Sequence, residues 1–196
     1  MKMHRETCYR KLYREQLSQP HSGRAREGAG LHSATARETG PKQIGRPAPS
    51  TRQFVVLVAE PNDDEFAVLT WALHSEQSLF KIQRVTDGQA CMAYLNGEGT
   101  YAGMPLPDLL LLDIHMPRMD GFDVMARVSA DARLHHLPVV VLSSSSAPQD
   151  IQRMYKLRCS SYVTKPADFE QLRHSLLNIV QYWFSAATLP LAQPAG

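Results

Sequence analysis

Four consecutive leucines, Leu109 to Leu112, lead directly into Asp113. A half-buried strand alternates apolar and polar residues, whereas this run is apolar at every position, which is typical of a strand buried on both faces. Strands of this kind occur in parallel sheets that are covered by helices on both sides. The run therefore predicts a parallel sheet in which one strand presents a carboxylate at its carboxyl end.

Other short apolar runs repeat this pattern, and segments with helical spacing of apolar residues lie between them. The alternation predicts an α/β doubly wound domain with a five-stranded parallel sheet and helices on both faces. Asn62 is expected to cap the first helix, with Glu65 completing a capping box; Asp87, Asp120 and Asp168 can begin later helices. The other runs are Phe54–Ala59, Phe80–Val85, Pro138–Leu142 and Ser161–Thr164.

Charge and composition divide the chain near Arg52. Residues 1–52 carry eleven Lys and Arg against four Glu, whereas residues 53–196 carry ten basic against fifteen acidic residues. Because residues 20–50 contain few large apolar side chains, we expect residues 1–52 to form a basic, largely disordered extension. The folded domain is expected at residues 53–185, followed by a short tail at residues 186–196. Nucleic-acid binding through the basic extension remains an open alternative, although its basic residues are dispersed and lack aromatic stacking partners.

Three cysteines (Cys8, Cys91 and Cys159) are too few and too scattered for a disulfide framework or a cysteine-based zinc site. The sequence contains no apolar run long enough to predict a transmembrane helix, and the N-terminus has no apolar core of a signal peptide. These features predict a cytoplasmic protein that does not insert into a membrane.

The ends of the apolar runs carry a chemically coherent set of side chains. In doubly wound sheets the ligand site lies beyond the carboxyl ends of the strands, which is where Glu60, Asp113, Ser143 and Lys165 fall. A carboxylate nucleophile, oxygen ligands for Mg²⁺, a hydroxyl donor and a cationic side chain together meet the needs of phosphoryl transfer. We therefore expect Asp113 to accept a phosphoryl group, Glu60 to hold the metal, and Ser143 and Lys165 to contact phosphoryl oxygens.

Four stretches of the sequence resemble the receiver domain of two-component response regulators. Within it, the sequence is most similar to small stand-alone regulators associated with phytochrome kinases. The resemblance covers residues 53–184, and its most specific parts are the segments DIHMPRMDG and VTKP. The matching stretches are LVAEPNDD, DLLLLDIHMPRMDG, LPVVVLSSSS and SYVTKP.

The resemblance implies a flavodoxin-like strand order of 2-1-3-4-5 and a phosphoacceptor role for Asp113. It also implies a Mg²⁺ site formed by Glu60, Asp113 and the backbone carbonyl of His115. Lys165 matches the phosphate-contacting lysine, and it precedes a proline, Pro166, that is usually cis in the family. Catalysis is expected to be limited to the domain's own phosphorylation and dephosphorylation, so the protein is not predicted to be an enzyme acting on other substrates.

Ser143 and Tyr162 match the switch residues that report phosphorylation in the family. The implied partners are a sensor histidine kinase, with a bacteriophytochrome as the candidate type, and a downstream protein of unknown identity. Dimerisation would use the face formed by the fourth helix, the fifth strand and the last helix. No membrane partner is expected, since no apolar run is long enough to span a bilayer. A nucleic-acid partner is not predicted for the folded domain, since no DNA-binding helix pair is expected after it.

Position 59 departs from the family pattern, which usually places two acids in succession at the end of the first strand. Ala59 and Glu60 occupy these positions, so Glu60 is the remaining candidate for a direct metal ligand. This departure leaves open a pseudo-receiver, a binding or scaffolding module that acts independently of phosphorylation. A phosphohydrolase of the haloacid-dehalogenase type is a weaker alternative, because it needs a second acid where this chain has His115.

Overall fold

The strands form one parallel sheet in the order β2-β1-β3-β4-β5, which confirms the predicted fold class. The structure, a computed structural model, describes residues 53–76 and 78–190. The predictions for residues 1–52 and 191–196 lie outside this range. The strands are β1 (Phe54–Ala59), β2 (Phe80–Val85), β3 (Leu109–Leu112), β4 (Val139–Ser143) and β5 (Ser161–Thr164).

Helices connect successive strands, and most of them begin at the residues that the sequence indicates. Side chains of Asn62, Asp87, Asp120 and Asp168 accept hydrogen bonds from backbone N–H groups of the first helical turns. Among the described residues, no helix has the length and apolar character needed to cross a membrane. The helices are α1 (Asp63–Ala72), α2 (Gly88–Asn96), α3 (Gly121–Ala130), α4 (Pro148–Lys156) and α5 (Phe169–Gln181), which a π-helical turn extends over Tyr182–Ala186.

The core has two halves, one on each face of the sheet. Leu110 and Leu112 belong to the half covered by α2, α3 and α4, whereas Leu109 and Leu111 belong to the half covered by α1 and α5. All four leucines are almost completely buried, so the prediction of a strand buried on both faces is confirmed. Because side chains alternate along a strand, the residue after Leu112, Asp113, follows on the α1–α5 side.

The same alternation places Ala59 and Glu60, at the end of β1, on opposite faces of the sheet. Ala59 is 1% exposed and belongs to the apolar half of the core beneath α2, α3 and α4. Glu60 comes next, and it lines a cavity together with residues of α1 and α5. The backbone therefore directs Glu60, and not Ala59, toward the side of the sheet on which Asp113 lies.

Candidate functional site

Three of the strand-end residues that the sequence indicates meet at the carboxyl edge of the sheet. The Nζ atom of Lys165 lies 2.7 Å from Oε2 of Glu60 and 3.8 Å from Oδ1 of Asp113. All three side chains line one cavity of about 420 Å³, together with His115 and Ser144. The cavity continues between α1 and α5, where apolar side chains form its floor; these are Val68, Leu69, Leu142, Leu172 and Leu176.

Asp113 is held by backbone contacts on both sides. Its N–H donates to the carbonyl of Ala59 at 3.0 Å, and its Oδ1 accepts from the N–H of Ile114 at 2.8 Å. The following loop returns to the same point, because Gly121 donates its N–H to the carbonyl of Ile114 at 2.9 Å. A Cβ atom at Gly121 would lie 2.5 Å from the carbonyl oxygen of Asp113, so this close return requires glycine.

Lys165 is the cation on which the site's carboxylates converge. Its side chain is 11% exposed, and its backbone N–H donates to the carbonyl of Ser143 at 2.7 Å. Burial opposes its charge, but attraction to Glu60, Asp113 and Glu65 outweighs burial and raises the pKa of Lys165 well above its ordinary value. Lys165 is therefore charged throughout the physiological pH range.

The bond between Lys165 and Pro166 does not follow the expectation of a cis peptide. No cis peptide bond occurs in residues 53–76 or 78–190. The trans form is also the intrinsically favoured isomer of bonds that precede proline.

Glu60 has a raised pKa, and burial is the main reason. The attraction of Lys165 lowers the pKa, whereas repulsion from Asp113 and Glu65 adds to the effect of burial. One ammonium therefore faces three carboxylates, and this arrangement leaves an excess of negative charge. Such an excess favours binding of a further cation at this edge of the sheet.

Glu65 is a site residue that the sequence interpretation missed. The sequence assigns its side chain to a capping box, in which it would accept the N–H of Asn62. In the structure Oε1 of Glu60 accepts that N–H at 2.9 Å, and Oε2 of Glu65 lies 2.5 Å from Nζ of Lys165. The signal in the sequence is a carboxylate within the first turn after the strand end, but the capping pattern offers an equally good local explanation for it.

Asp63 lies away from this cluster. Its side chain is 90% exposed and pairs with Arg84 at 2.7 Å, and Arg84 also donates to the carbonyl of Glu60 at 3.0 Å. Asp63 and Asp64 lie in the first turn of α1, where negative charge complements the helix dipole.

Ser143 and Tyr162 lie together, but they do not line the cavity. Ser143 is fully buried, and its Oγ accepts the N–H of Ser145 at 3.1 Å. The Tyr162 hydroxyl donates to the carbonyl of Ser145 at 2.8 Å. Burial raises the pKa of Tyr162, and hydrogen bonds with Ser143 and Ser145 oppose that shift. The residue of this segment that reaches the cavity is the neighbouring Ser144.

The side chains at this edge of the sheet offer the type of ligand that Mg²⁺ prefers. Glu60 and Asp113 offer hard carboxylate oxygens within 4 Å of the Lys165 ammonium, and His115 lines the same cavity. The described residues contain no cluster of three His, Cys, Asp or Glu side chains suited to a metal. Mg²⁺ commonly uses one or two carboxylates and keeps several waters, so two carboxylates and a backbone carbonyl fit this ion.

Replacing Lys165 with Gln is expected to make folding stability more dependent on pH. Without the cation, Glu60 faces Glu65 and Asp113, so its raised pKa should rise further. A carboxyl group with a raised pKa binds its proton more tightly in the folded state, so stability increases as the pH falls through the folded-state pKa. Between pH 7.5 and pH 5, the free energy of unfolding measured in urea should increase by about 1–2 kcal/mol more in the variant than in the unsubstituted protein. An equal change in the two proteins would contradict the electrostatic role given to Lys165.

Comparison with known proteins gives a consistent set of matches. A family model described as the response regulator receiver domain matches residues 56–177. The probable methanogenesis regulatory protein FilR2 of Methanothrix harundinacea is 34% identical over 66% of this chain and 83% of its own length. Response regulator Rcp1 of Synechocystis is 31% identical over 70% of this chain and 94% of its own length.

Solved structures agree with these sequence matches. The phosphorylated cyanobacterial phytochrome response regulator RcpA is 37% identical and has a TM-score of 0.68, with 71% of this chain and 99% of RcpA covered. The Mn²⁺-bound form of Rcp1 is 31% identical with a TM-score of 0.67, and the match covers 70% of this chain and 99% of that one. The Rcp1 structure shows a divalent metal bound to a relative with the same fold.

Proposed function

Because the chain belongs to the response regulator receiver domain family, we propose that it accepts a phosphoryl group on Asp113 from a sensor histidine kinase. The observation that carries the proposal is the convergence of Asp113, Glu60 and Lys165 in one cavity at the carboxyl edge of the sheet. The receiver domain would occupy residues 53–185, with residues 1–52 as an extension and residues 186–196 as a tail. A cytoplasmic location is part of the proposal.

The proposed chemistry is an in-line displacement at phosphorus. A carboxylate oxygen of Asp113 attacks the phosphoryl group, the bond from phosphorus to the histidine nitrogen breaks, and an acyl phosphate forms. The Lys165 ammonium stabilises the negative charge on the phosphoryl oxygens, because it is charged and already faces Asp113. The backbone contacts that hold Asp113 keep its carboxylate in position for the attack.

Glu60, Asp113 and the carbonyl of His115 would hold Mg²⁺ in this proposal. The ion supplies neutralisation of charge on the transferring group. Support comes from the excess of carboxylate over ammonium at the site and from the Mn²⁺-bound form of the relative Rcp1.

Signal output would run through Ser143 and Tyr162. A phosphoryl group on Asp113 offers a new hydrogen-bond partner to the Ser143 hydroxyl, so it would favour a rearrangement of Ser143 and of the Tyr162 contact with Ser145. Tyr162 lies on β5 next to α4, and its N–H donates to the Tyr155 hydroxyl at 3.3 Å. A downstream protein, or a second copy of the chain, would bind the face formed by α4, β5 and α5.

The kinase is proposed to be of the phytochrome type. Two relatives support this choice, since RcpA is described as a cyanobacterial phytochrome response regulator and RPA3017 of R. palustris as a response regulator in red light signalling. The latter is 30% identical to this chain with a TM-score of 0.66.

Incubation with Mg²⁺ and a small phosphodonor such as acetyl phosphate tests the proposal. The intact mass should increase by one phosphoryl group, and chelation of Mg²⁺ should suppress the increase. A known receiver domain serves as the control for the donor and the metal.

The competing function is a pseudo-receiver that binds its partner independently of phosphorylation. Ala59 favours it, because this position contributes no carboxylate to the site. No mass increase for this protein, together with a normal increase for the control receiver, would select the pseudo-receiver and reject phosphorylation.

A further inference from the structure

We infer that Glu65 is a positioning residue that anchors Lys165, so that Glu60 and Asp113 remain available to a divalent cation. It thereby supplies from α1 the third carboxylate that position 59 does not provide. The inference deepens the proposed function and rests on it for its biological meaning. Its physical content concerns Mg²⁺ binding and the environment of Lys165, which are measurable without phosphorylation.

The Lys165 ammonium has two close carboxylate partners and one more distant one. Oε2 of Glu65 lies at 2.5 Å and Oε2 of Glu60 at 2.7 Å, whereas Oδ1 of Asp113 lies at 3.8 Å. The side chain of Glu65 is 31% exposed, and that of Glu60 is 5% exposed. Glu65 is therefore the outer partner of the ammonium, and Glu60 is the inner one.

The contact with Glu65 reduces the competition between Lys165 and a bound cation for the inner carboxylates. Lys165 and a divalent cation compete for the same two inner carboxylates, and an ammonium that is 11% exposed pays a large desolvation cost if it loses its partners. With Glu65 present, the ammonium keeps one close carboxylate when a cation takes Glu60 and Asp113. Without Glu65, cation binding would place the Lys165 ammonium next to a metal ion and would leave it with no close carboxylate partner.

The fold makes α1 the available source for this charge. Ala59 is packed into the apolar half of the core on the opposite face of the sheet, and it brings no charge to the cavity. Glu65 reaches the cavity because Glu60 accepts the N–H of Asn62 and so replaces it in the capping role. Glu65 is not assigned as a metal ligand, since the described residues contain no cluster of three side chains suited to a metal.

Calorimetric titration with Mg²⁺ alone tests the inference with two matched variants. Glu65→Gln should raise the Mg²⁺ dissociation constant by about 3- to 10-fold, because one nearby charge is lost and Lys165 competes more strongly for Glu60. Asp63→Asn removes the same charge from the same helical turn, but Asp63 is exposed to solvent and pairs with Arg84 instead of Lys165. This control should change the dissociation constant by less than about 2-fold.

Modification of Lys165 by an amine acylating reagent, followed by peptide mass mapping, gives a readout that a structural role alone would not change. In the absence of Mg²⁺, Glu65→Gln should increase the acylation rate of Lys165, because a close carboxylate no longer holds the ammonium. Asp63→Asn should leave that rate unchanged. Equal behaviour of the two variants in both measurements would overturn the inference, as would an unsubstituted protein that does not bind Mg²⁺.

Glu65→Asp provides the second test, because it keeps the charge but shortens the side chain by one methylene group. Anchoring depends on the 2.5 Å contact between Glu65 and Lys165, so the variant should lose part of the Mg²⁺ affinity, and its Lys165 should be acylated faster. Behaviour identical to that of the unsubstituted protein in both measurements would overturn the anchoring role.

These outcomes separate the inference from the proposed function. Failure of phosphorylation with normal Mg²⁺ binding and a clear effect of Glu65→Gln would reject the proposed function and retain the anchoring role. Normal phosphorylation with no effect of Glu65→Gln on Mg²⁺ affinity or on Lys165 acylation would do the opposite.

Discussion

Replacing Asp113 with Asn is expected to abolish the mass increase produced by Mg²⁺ and a small phosphodonor and to leave the protein folded. An amide oxygen is a poor nucleophile compared with a carboxylate, so no acyl phosphate forms at this position. The variant keeps the shape of the side chain and an oxygen that can accept the N–H of Ile114. It also removes one of three carboxylates around Lys165, so stability should be unchanged or slightly higher.

Asp123→Asn is the matched control for this experiment. Asp123 is an exposed carboxylate on the first turn of α3, a few residues along the same loop and helix. The Asp123→Asn variant should show the same mass increase as the unsubstituted protein. A remaining mass increase in Asp113→Asn would show that another carboxylate accepts the phosphoryl group, and peptide mapping would identify it.

Gly121→Ala is expected to destabilise the fold by about 3 kcal/mol. An added Cβ would lie 2.5 Å from the carbonyl oxygen of Asp113 and 2.8 Å from Cα of Ile114. Both atoms belong to the backbone, so they cannot rotate away as the end of a flexible side chain could. The clash should outweigh the gain in helix propensity that alanine brings to the first turn of α3. Because it falls on Asp113, phosphorylation should also slow.

Gly103→Ala separates this clash from the general cost of replacing glycine. Gly103 has a φ of +78°, and an added Cβ there would have no neighbour within 4 Å. Its cost should be about 1 kcal/mol, from the left-handed backbone alone. Urea unfolding measures both variants at pH 7.5. A cost for Gly121→Ala no greater than that for Gly103→Ala would show that the loop after β3 can retreat from Asp113.

The fold was accessible from the sequence because its signals are local and repeated. The run from Leu109 to Leu112 requires apolar surroundings on both sides, and a helix on each face of a parallel sheet is the arrangement that supplies them. Capping side chains such as Asp87 and Asp168 act on N–H groups two or three residues away, so they can be recognised without tertiary contacts. The strand order followed from a family resemblance and not from these local signals.

The site was accessible only in part. The ends of parallel strands meet at one edge of a sheet, so the convergence of Glu60, Asp113 and Lys165 could be expected. Ser143 was expected to face the phosphoryl group, yet in this structure it is buried against the segment that contacts Tyr162 while Ser144 reaches the cavity. A strand end fixes the position of a backbone, whereas the direction of a side chain there depends on its hydrogen-bond partners.

Glu65 shows this division most clearly. By itself the sequence determined a five-stranded doubly wound sheet, the helix starts and an acidic strand-end site around Asp113, because hydrophobic periodicity and capping act over a few residues. Only the tertiary structure decided that Glu60 takes the capping contact with Asn62 and that Glu65 turns to Lys165, one hundred residues along the chain. Which carboxylate meets the ammonium depends on how α1 and β5 are placed across the sheet, and such long-range contacts leave no periodic pattern in the sequence.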